Sequence, residues 1–557
     1  MNAKTKRAAA LALSLLLIIS LLAGCDGSAS PSSSPAQSPS SSASPAASPS
    51  SSAAASANPS TPPDTDLPYS APGVLPIVTE PITITFMINN QCMAVMEDYS
   101  QKDFMPLVTE LTNVNIEWNH NTMDNGLALL VAARDYPDVM LSNWNFYSGG
   151  APGAIEDGVI LSLNDMIADQ AIYLNEYFDE YPHLRPFITT INGDIPGFPM
   201  NLPDQGYSWT DVGPSINMTW LNELGLPKPE TLDEWETVLA GFKQNHPDGY
   251  PMISLEPYTD LGFVQMIFFA YGVDTRFYPK DGVIRYGPFE PGFRPALERL
   301  AKWYAEGWLD NECIVDDYTS HTDKFQNRPT GSAFYNVNLN QTTGCQWEGV
   351  QYPTLNKGDK FAKVTTGSGM AQDVYSISTT NKYPVETVKW LDFFYGEEGG
   401  ILANYGVEGT AWEWKDGQRA FKPLILANPD GLNLSEALQT YTVLNHGWFK
   451  IYRHDANNAR RSKESVEMLM GWNVYVDPGP ECKSALIVRL TSDEMAERSR
   501  INGDLTTFYR EMMVSFVTGR TPINDETYEN YVTQLKRMGA ESLRLLEQLN
   551  YDRFFGK

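Results

Sequence analysis

The architecture of this chain starts from Ile82-Thr83-Ile84-Thr85-Phe86-Met87-Ile88, whose alternating apolar and polar residues are typical of a strand. A helical stretch over 103–112 leads to a second predicted strand at 114–118. Apolar residues at helical spacing over 125–134 then precede a third apolar run at 139–141. This β-α-β-α-β order predicts a parallel sheet with helices on both faces, and therefore an α/β fold.

Amide and aromatic side chains follow the first and third of these strands. Asn89 and Asn90 come directly after the first strand, and Trp144, Asn145 and Tyr147 follow the third. Ligands of such sheets bind at the carboxyl ends of the strands. We therefore predict that these five residues contact a ligand, with turn capping as the alternative use of the two asparagines.

A second α/β region follows residue 205. A predicted strand at 215–218 runs into a helix at 220–224 that Gly225 ends. Thr231 and Glu234 have the spacing of a capping box at the start of the next helix. About 490 residues lie beyond position 68, more than one core usually organises, so two lobes are expected.

The N-terminus predicts export and lipidation. A basic start at residues 4–7 precedes an apolar run at 8–23, which is shorter than the roughly 20 residues of a spanning helix. Leu22-Ala23-Gly24-Cys25 resembles the lipobox of bacterial lipoproteins, which implies a signal peptide over 1–24 and acylation of Cys25. An ordinary secretory signal with an incidental cysteine is the alternative.

Residues 25–68 are predicted to be a membrane tether. Between Ser28 and Pro63 the chain consists almost only of Ser, Ala and Pro, which cannot bury enough apolar surface to order itself. A coil of this length spans roughly 35 Å. Loss of the signal peptide moves the net charge from −28 to −31, which argues against nucleic acid as a partner.

Signatures of catalysis and of metal binding are missing from the sequence. It contains no G-x-S-x-G, P-loop, G-x-G-x-x-G, H-E-x-x-H or EF-hand loop. His446 and His454 are eight residues apart and are interpreted as loop residues. The cysteines after Cys25 show no C-x-x-C spacing and are interpreted as buried thiols: Cys92, Cys313, Cys345 and Cys482. We predict no cofactor and no metal-ligating residues, with a metal ion that braces an acidic loop, such as Asp310–Asp317, as the alternative.

Several stretches carry a family resemblance through their order along the chain: 133–139, 157–164, 220–227, 229–235, 303–307, 406–409 and 551–553. In these, the chain resembles the family 1 extracellular solute-binding lipoproteins of ABC importers, in the long sugar-binding branch related to maltose-type binding proteins. The resemblance implies a two-lobed, periplasmic-binding-protein-like fold of type II. Each lobe would be a mixed sheet flanked by helices, with a cleft between the lobes.

The resemblance also implies lobe boundaries and further site residues. Lobe 1 would comprise residues 69–205 and about 366–450, and lobe 2 about 206–365 and 451–557. The ligand contacts that it adds are Glu256, Tyr258, Asn338 and Asn340. Glu408, in the predicted turn at 406–409, and Trp412, close to that turn, are further candidates for the cleft. Flat aromatics and planar amides suit the ring faces and hydroxyls of an oligosaccharide.

The sequence therefore predicts a lipid-anchored, extracellular, monomeric binding protein that captures an oligosaccharide and delivers it to an ABC permease. Trp144→Ala should then weaken sugar binding by one to two orders of magnitude, about 1–3 kcal/mol. Trp220, Trp235 and Trp303 are expected in the core. The alternatives are an extracellular carbohydrate-active enzyme, a binder of another solute such as a peptide, and a sugar sensor.

Overall fold

A computed structural model of the protein describes residues 68–89, 99–121, 123–204, 213–253, 263–312, 324, 328–334, 346–361, 373–444, 447–473 and 488–556. The strands in chain order are β1 Ile82–Asn89, β2 Val114–Asn121, β3 Val139–Ser142, β4 Phe198–Pro199, β5 Leu202–Pro203, β6 Pro214–Asn217, β7 Phe277–Lys280, β8 Val283–Tyr286, β9 Ser332–Phe334, β10 Trp347–Gly349, β11 Val374–Ile377, β12 Trp412–Lys415, β13 Gln418–Phe421 and β14 Ile451–Tyr452.

The α-helices in chain order are α1 Met105–Thr112, α2 Met123–Ala133, α3 Gly150–Glu156, α4 Asn164–Gln170, α5 Ile172–Glu180, α6 Met218–Leu224, α7 Leu232–Asn245, α8 Phe263–Ala270, α9 Phe293–Ala305, α10 Pro384–Phe393, α11 Glu397–Tyr405, α12 Pro423–Leu426, α13 Leu434–Tyr441, α14 His454–Ala459, α15 Lys463–Asn473, α16 Ser492–Val517, α17 Asp525–Arg537 and α18 Ala540–Phe554. Short 3₁₀ turns cover Tyr99–Gln101, Trp144–Phe146, Pro182–Ile188 and Gly287–Phe289.

Lobe 1 is built on a five-stranded sheet of order β2-β1-β3-β11-β4. β1 pairs in parallel with both β2 and β3, as the sequence predicts. β11 returns from late in the chain and pairs antiparallel with β3 and β4, so the sheet is mixed. Its core joins residues 77–202 to residues 374–449.

Lobe 2 has a separate core around the antiparallel sheet β10-β6-β9. Trp220, Trp235 and Trp303 are buried in this core, which confirms their predicted role. The His246 imidazole stacks on the Trp220 ring with centroids 3.7 Å apart. The long α16 and the following α17 and α18 add their apolar faces to the same core.

Local sequence signals placed several helix ends correctly. Thr231 and Glu234 form the predicted capping box at the start of α7, and Gly225 ends α6 with φ 64°, a backbone angle that glycine adopts without strain. α1 begins at Met105 rather than at the predicted Asp103. Pro106 explains this start because proline, without a backbone N–H, is favoured in the first turn.

Two short strands carry the chain out of lobe 1. β5 and β14 pair in parallel, and the chain enters the lobe 2 core after each of them. Asp204 follows β5 and accepts hydrogen bonds from both the backbone N–H, at 2.8 Å, and the imidazole of His454. His454 is thus the first residue of α14 and not the loop residue that was predicted. The buried Lys450 Nζ donates to Asn201 Oδ1 at 2.6 Å, which is a second side-chain link between the segments that contain β14 and β5.

Residues 69–78, the N-terminal strap, dock on lobe 1. Ser70 donates its backbone N–H to the Ile77 carbonyl at 2.9 Å, and Ile77 in turn donates to Thr112 at 3.1 Å. The Lys389 ammonium donates to the Ser70 carbonyl and lies 4.6 Å from the centre of the Tyr69 ring. The strap is therefore part of the folded lobe and not of the tether.

Candidate functional site

The parallel strands of lobe 1 bring their carboxyl ends to one edge of the sheet. Asn89 and Asn121 pair with each other at the ends of β1 and β2, and Ser142 ends β3 beside them. Because β11 is antiparallel to β3 and starts at Val374 opposite Ser142, Asp373 lies at the same edge. We call this the carboxyl edge.

A rigid 3₁₀ turn at Trp144–Phe146 follows β3 at the carboxyl edge. The Asn143 side chain caps it by accepting the Asn145 N–H at 3.1 Å. The Trp144 indole N–H donates to Ser376 Oγ at 2.7 Å, and Asn145 Oδ1 accepts the Val488 N–H at 3.2 Å. These bonds fix the turn, and they leave the Phe146 side chain 79% exposed.

This arrangement corrects the sequence interpretation of the turn. Trp144 is fully buried in the lobe 1 core, so its ring has no exposed face on which a ligand could stack. Asn145 is also buried, and its side-chain oxygen is engaged with Val488. The exposed aromatic is Phe146, which the sequence interpretation passed over. β3 is a continuous apolar run that is buried at every position, so no alternation in its sequence indicates which side chain of the following turn faces solvent.

Tyr147 is partly exposed beside the turn. Its hydroxyl donates to Asp157 Oδ2 at 2.9 Å, and its ring packs edge-on against Trp144 at 5.8 Å. Burial, followed by the bond to Asp157, raises the pKa of Tyr147 to about 12. Tyr147 is thus a neutral hydrogen-bond donor that supports the turn.

Trp118 is a second aromatic that the sequence interpretation missed. It is half-buried near the end of β2 and lies 5.2 Å from Phe86 and 6.0 Å from Trp448, centre to centre. Trp448 Nε1 is buried with no hydrogen-bond partner in the part of the chain that the structure describes. An aromatic near the last position of a predicted parallel strand was the available signal for Trp118.

Trp412 and Glu408 lie in a different part of the structure, a small cluster formed by α11, the β12–β13 hairpin and α13. Trp412 is buried there, and its indole N–H donates to the Gly406 carbonyl at 3.0 Å, so its predicted contact with a ligand is at odds with the structure. Glu408 is exposed. Arg419 lies over Trp414, the exposed ring of the hairpin, at 4.9 Å.

The remaining predicted residues cannot be placed. Asn89 ends β1, but its side chain is not among those described. The others lie outside the described residues: Cys25, Asn90, Glu256, Tyr258, Asn338 and Asn340, together with Cys92, Cys313, Cys345 and Cys482. Within the described ranges, His, Cys, Asp and Glu side chains form no group of three or more that could hold a metal ion. None of the described helices has the length and apolar character needed to cross a bilayer.

This fold, with two lobes joined by paired crossing strands, is shared with solved solute-binding proteins. The chain is 24% identical to the alginate-binding protein AlgQ2 in its calcium-free structure, with a TM-score of 0.72 over 85% of this chain and 99% of that one. No protein-family model matches the chain.

Two relatives match the chain by sequence over different extents. The chain is 23% identical over 524 residues to the fructooligosaccharide ABC transporter substrate-binding protein FusA of Streptococcus pneumoniae serotype 4, which covers 87% of this chain and 93% of FusA. It is 28% identical over 232 residues to the lipoprotein LipO of Bacillus subtilis strain 168, which covers 36% of this chain and 44% of LipO. The relative that matches most of the chain is thus a substrate-binding protein of an ABC transporter.

Proposed function

We propose that this protein captures an oligosaccharide outside the cell and delivers it to the permease of an ABC importer. One observation carries the proposal: the likeness to a fructooligosaccharide-binding protein runs through both lobes and nearly the whole length of each chain. A local likeness could come from one shared lobe, whereas a match of this extent spans both lobes.

The chemistry of the carboxyl edge supports a sugar ligand. Phe146 offers an exposed apolar ring, and Trp118 offers a half-buried one. Asn89 and the predicted site residues outside the described ranges would add amides, a carboxylate and a phenol: Asn90, Glu256, Tyr258, Asn338 and Asn340. Such groups satisfy the alternating apolar faces and hydroxyl edges of carbohydrate rings.

We further propose that Cys25 is acylated and holds the protein on the outer face of the cell membrane. The lipobox-like sequence and the Ser/Ala/Pro tether support this placement, as does the likeness to a protein named a lipoprotein. Ligand would then shift an equilibrium between open and closed lobes, and the permease would recognise the closed form. The protein would act as a monomer without chemical turnover.

Thermal unfolding of the purified mature protein against a ligand panel tests this function. Fructo-, xylo-, manno- and gluco-oligosaccharides are compared with peptides of similar size. A bound sugar at 100 times its dissociation constant should raise the free energy of unfolding by about 2.7 kcal/mol. Stabilisation by peptides alone, or shorter sugars appearing after incubation, would contradict the proposal.

A further inference from the structure

Asp373 occupies the carboxyl edge through strand pairing. Val374 is opposite Ser142 of β3 and opposite Pro199 of β4, so the residue before it is flanked by Asn143 on one side and Met200 on the other. Side chains alternate along a strand, which puts Asp373 on the same face of the sheet as Tyr375. The Tyr375 ring lies 5.6 Å from Phe86, the neighbour of Trp118, so this is the face with the half-buried tryptophan.

The Asp373 carboxylate is half-buried and has neither a cation nor a hydrogen-bond donor beside it in the described part of the chain. Burial alone, with no compensating contact, raises its pKa. Removing a carboxylate from water without a partner is costly. A position that retains such a group therefore points to a partner that arrives with a ligand.

Two other partly or fully buried carboxylates of lobe 1 have their donors within the protein. Asp138 accepts both the N–H and the hydroxyl of Thr85 at 2.8 Å. Asp392 accepts the N–H groups of Tyr173 and Leu174 at 3.1 and 2.9 Å. Asp373 differs from both because no donor group among the described residues lies against it.

The neighbours of Asp373 determine which ligand groups suit it. A carboxylate accepts hydrogen bonds from the adjacent hydroxyls of a sugar ring, and it repels a second carboxylate. The flanking Asn143 and Met200 are uncharged. Lys450, near Asn201, is buried and donates to Asn201 Oδ1 and the Val443 carbonyl, so it is not available to attract an anion.

We propose that Asp373 binds hydroxyl groups of the captured sugar and makes the site selective for neutral oligosaccharides over uronic acids. This inference rests on the proposed function. Selectivity of this kind comes from repulsion of the wrong ligand as well as attraction of the right one. The protein would then differ in ligand charge from its structural neighbour that binds alginate, a polyuronate.

Asp373→Asn tests this assignment because it removes the charge and keeps the shape. Titration calorimetry with the best neutral sugar of the panel and with alginate oligosaccharides should give two results. Affinity for the neutral sugar should fall about 10- to 100-fold. The ratio of the affinity for the neutral sugar to the affinity for alginate oligosaccharides should fall by at least tenfold, because the residue at position 373 no longer repels the carboxylates of the acidic sugar.

Asp416→Asn is the matched control, since Asp416 is exposed at the tip of the β12–β13 hairpin and the charge change is the same. It should leave both affinities unchanged. Thermal melts of the ligand-free Asp373→Asn protein should show equal or higher stability, which excludes misfolding as the cause of weaker binding. A folded variant that binds the neutral sugar like the wild type, or a wild type that prefers alginate oligosaccharides, overturns the assignment of Asp373 and leaves the proposed function standing. A wild type that binds no sugar at all overturns the proposed function itself.

Discussion

Replacing Phe146 by alanine should weaken sugar binding and leave the folded protein intact. The side chain is 79% exposed, so the free energy of unfolding should change by no more than about 0.5 kcal/mol. A sugar stacked on one ring face would cover roughly 100 Å² of it, worth about 2.5 kcal/mol at about 25 cal/mol per Å². Affinity measured by calorimetry should therefore fall by about 70-fold.

Trp144→Ala provides the contrast, because Trp144 is fully buried and bonded to Ser376. Its loss should cost about 3–5 kcal/mol of unfolding free energy, measured by chemical denaturation. Trp414→Ala, at another exposed ring, is the control for an aromatic truncation away from the carboxyl edge and should change neither quantity. Unchanged sugar affinity in a folded Phe146→Ala protein would refute the stacking role.

Three further variants test the framework around the site. Ser376→Ala removes the acceptor of the Trp144 indole and should lower the free energy of unfolding by about 1–3 kcal/mol in denaturant titrations. His454→Ala leaves the partly buried Asp204 without its imidazole partner and should destabilise the protein by a similar amount, with Asp204→Asn losing less in the same titration. Burial raises the pKa of Asp392 to about 7, well above its unfolded value, so the folded state favours the protonated form. The protonated Asp392 therefore contributes to stability fully below about pH 4, and this contribution is lost as the pH rises to 7. In Asp392→Asn the melting temperature should fall less between pH 4 and pH 7 than it does in the wild type. The same fall in both proteins would contradict the raised pKa of Asp392.

The sequence predicted those parts of the fold that depend on near neighbours. The strand at Ile82, the capping box of Thr231 and Glu234, and the glycine end of α6 each arise within a few residues. The parallel pairing of the first three strands followed because short crossover helices permit few topologies.

The site was less predictable because its side chains are oriented by distant residues. Trp144 faces inward since Ser376, 232 positions later, accepts its N–H, and Phe146 faces solvent as a result. Asp373 reaches the carboxyl edge only because β11 inserts antiparallel beside β3. Trp412 is buried by Tyr405 and Phe421, packing that its neighbours in sequence do not specify.

The docked N-terminal strap has a mechanical consequence if the protein is anchored to the membrane through Cys25, as proposed. A pulling force on an acylated Cys25 would reach the folded protein at the strap, where Lys389 donates to the Ser70 carbonyl. The force would therefore act on lobe 1 first. Lobe 2 is connected to that loaded body through the crossing strands β5 and β14. Lobe 1 would then be the lobe held at the membrane, and lobe 2 would be the lobe that moves when ligand binds and presents the closed form to the importer.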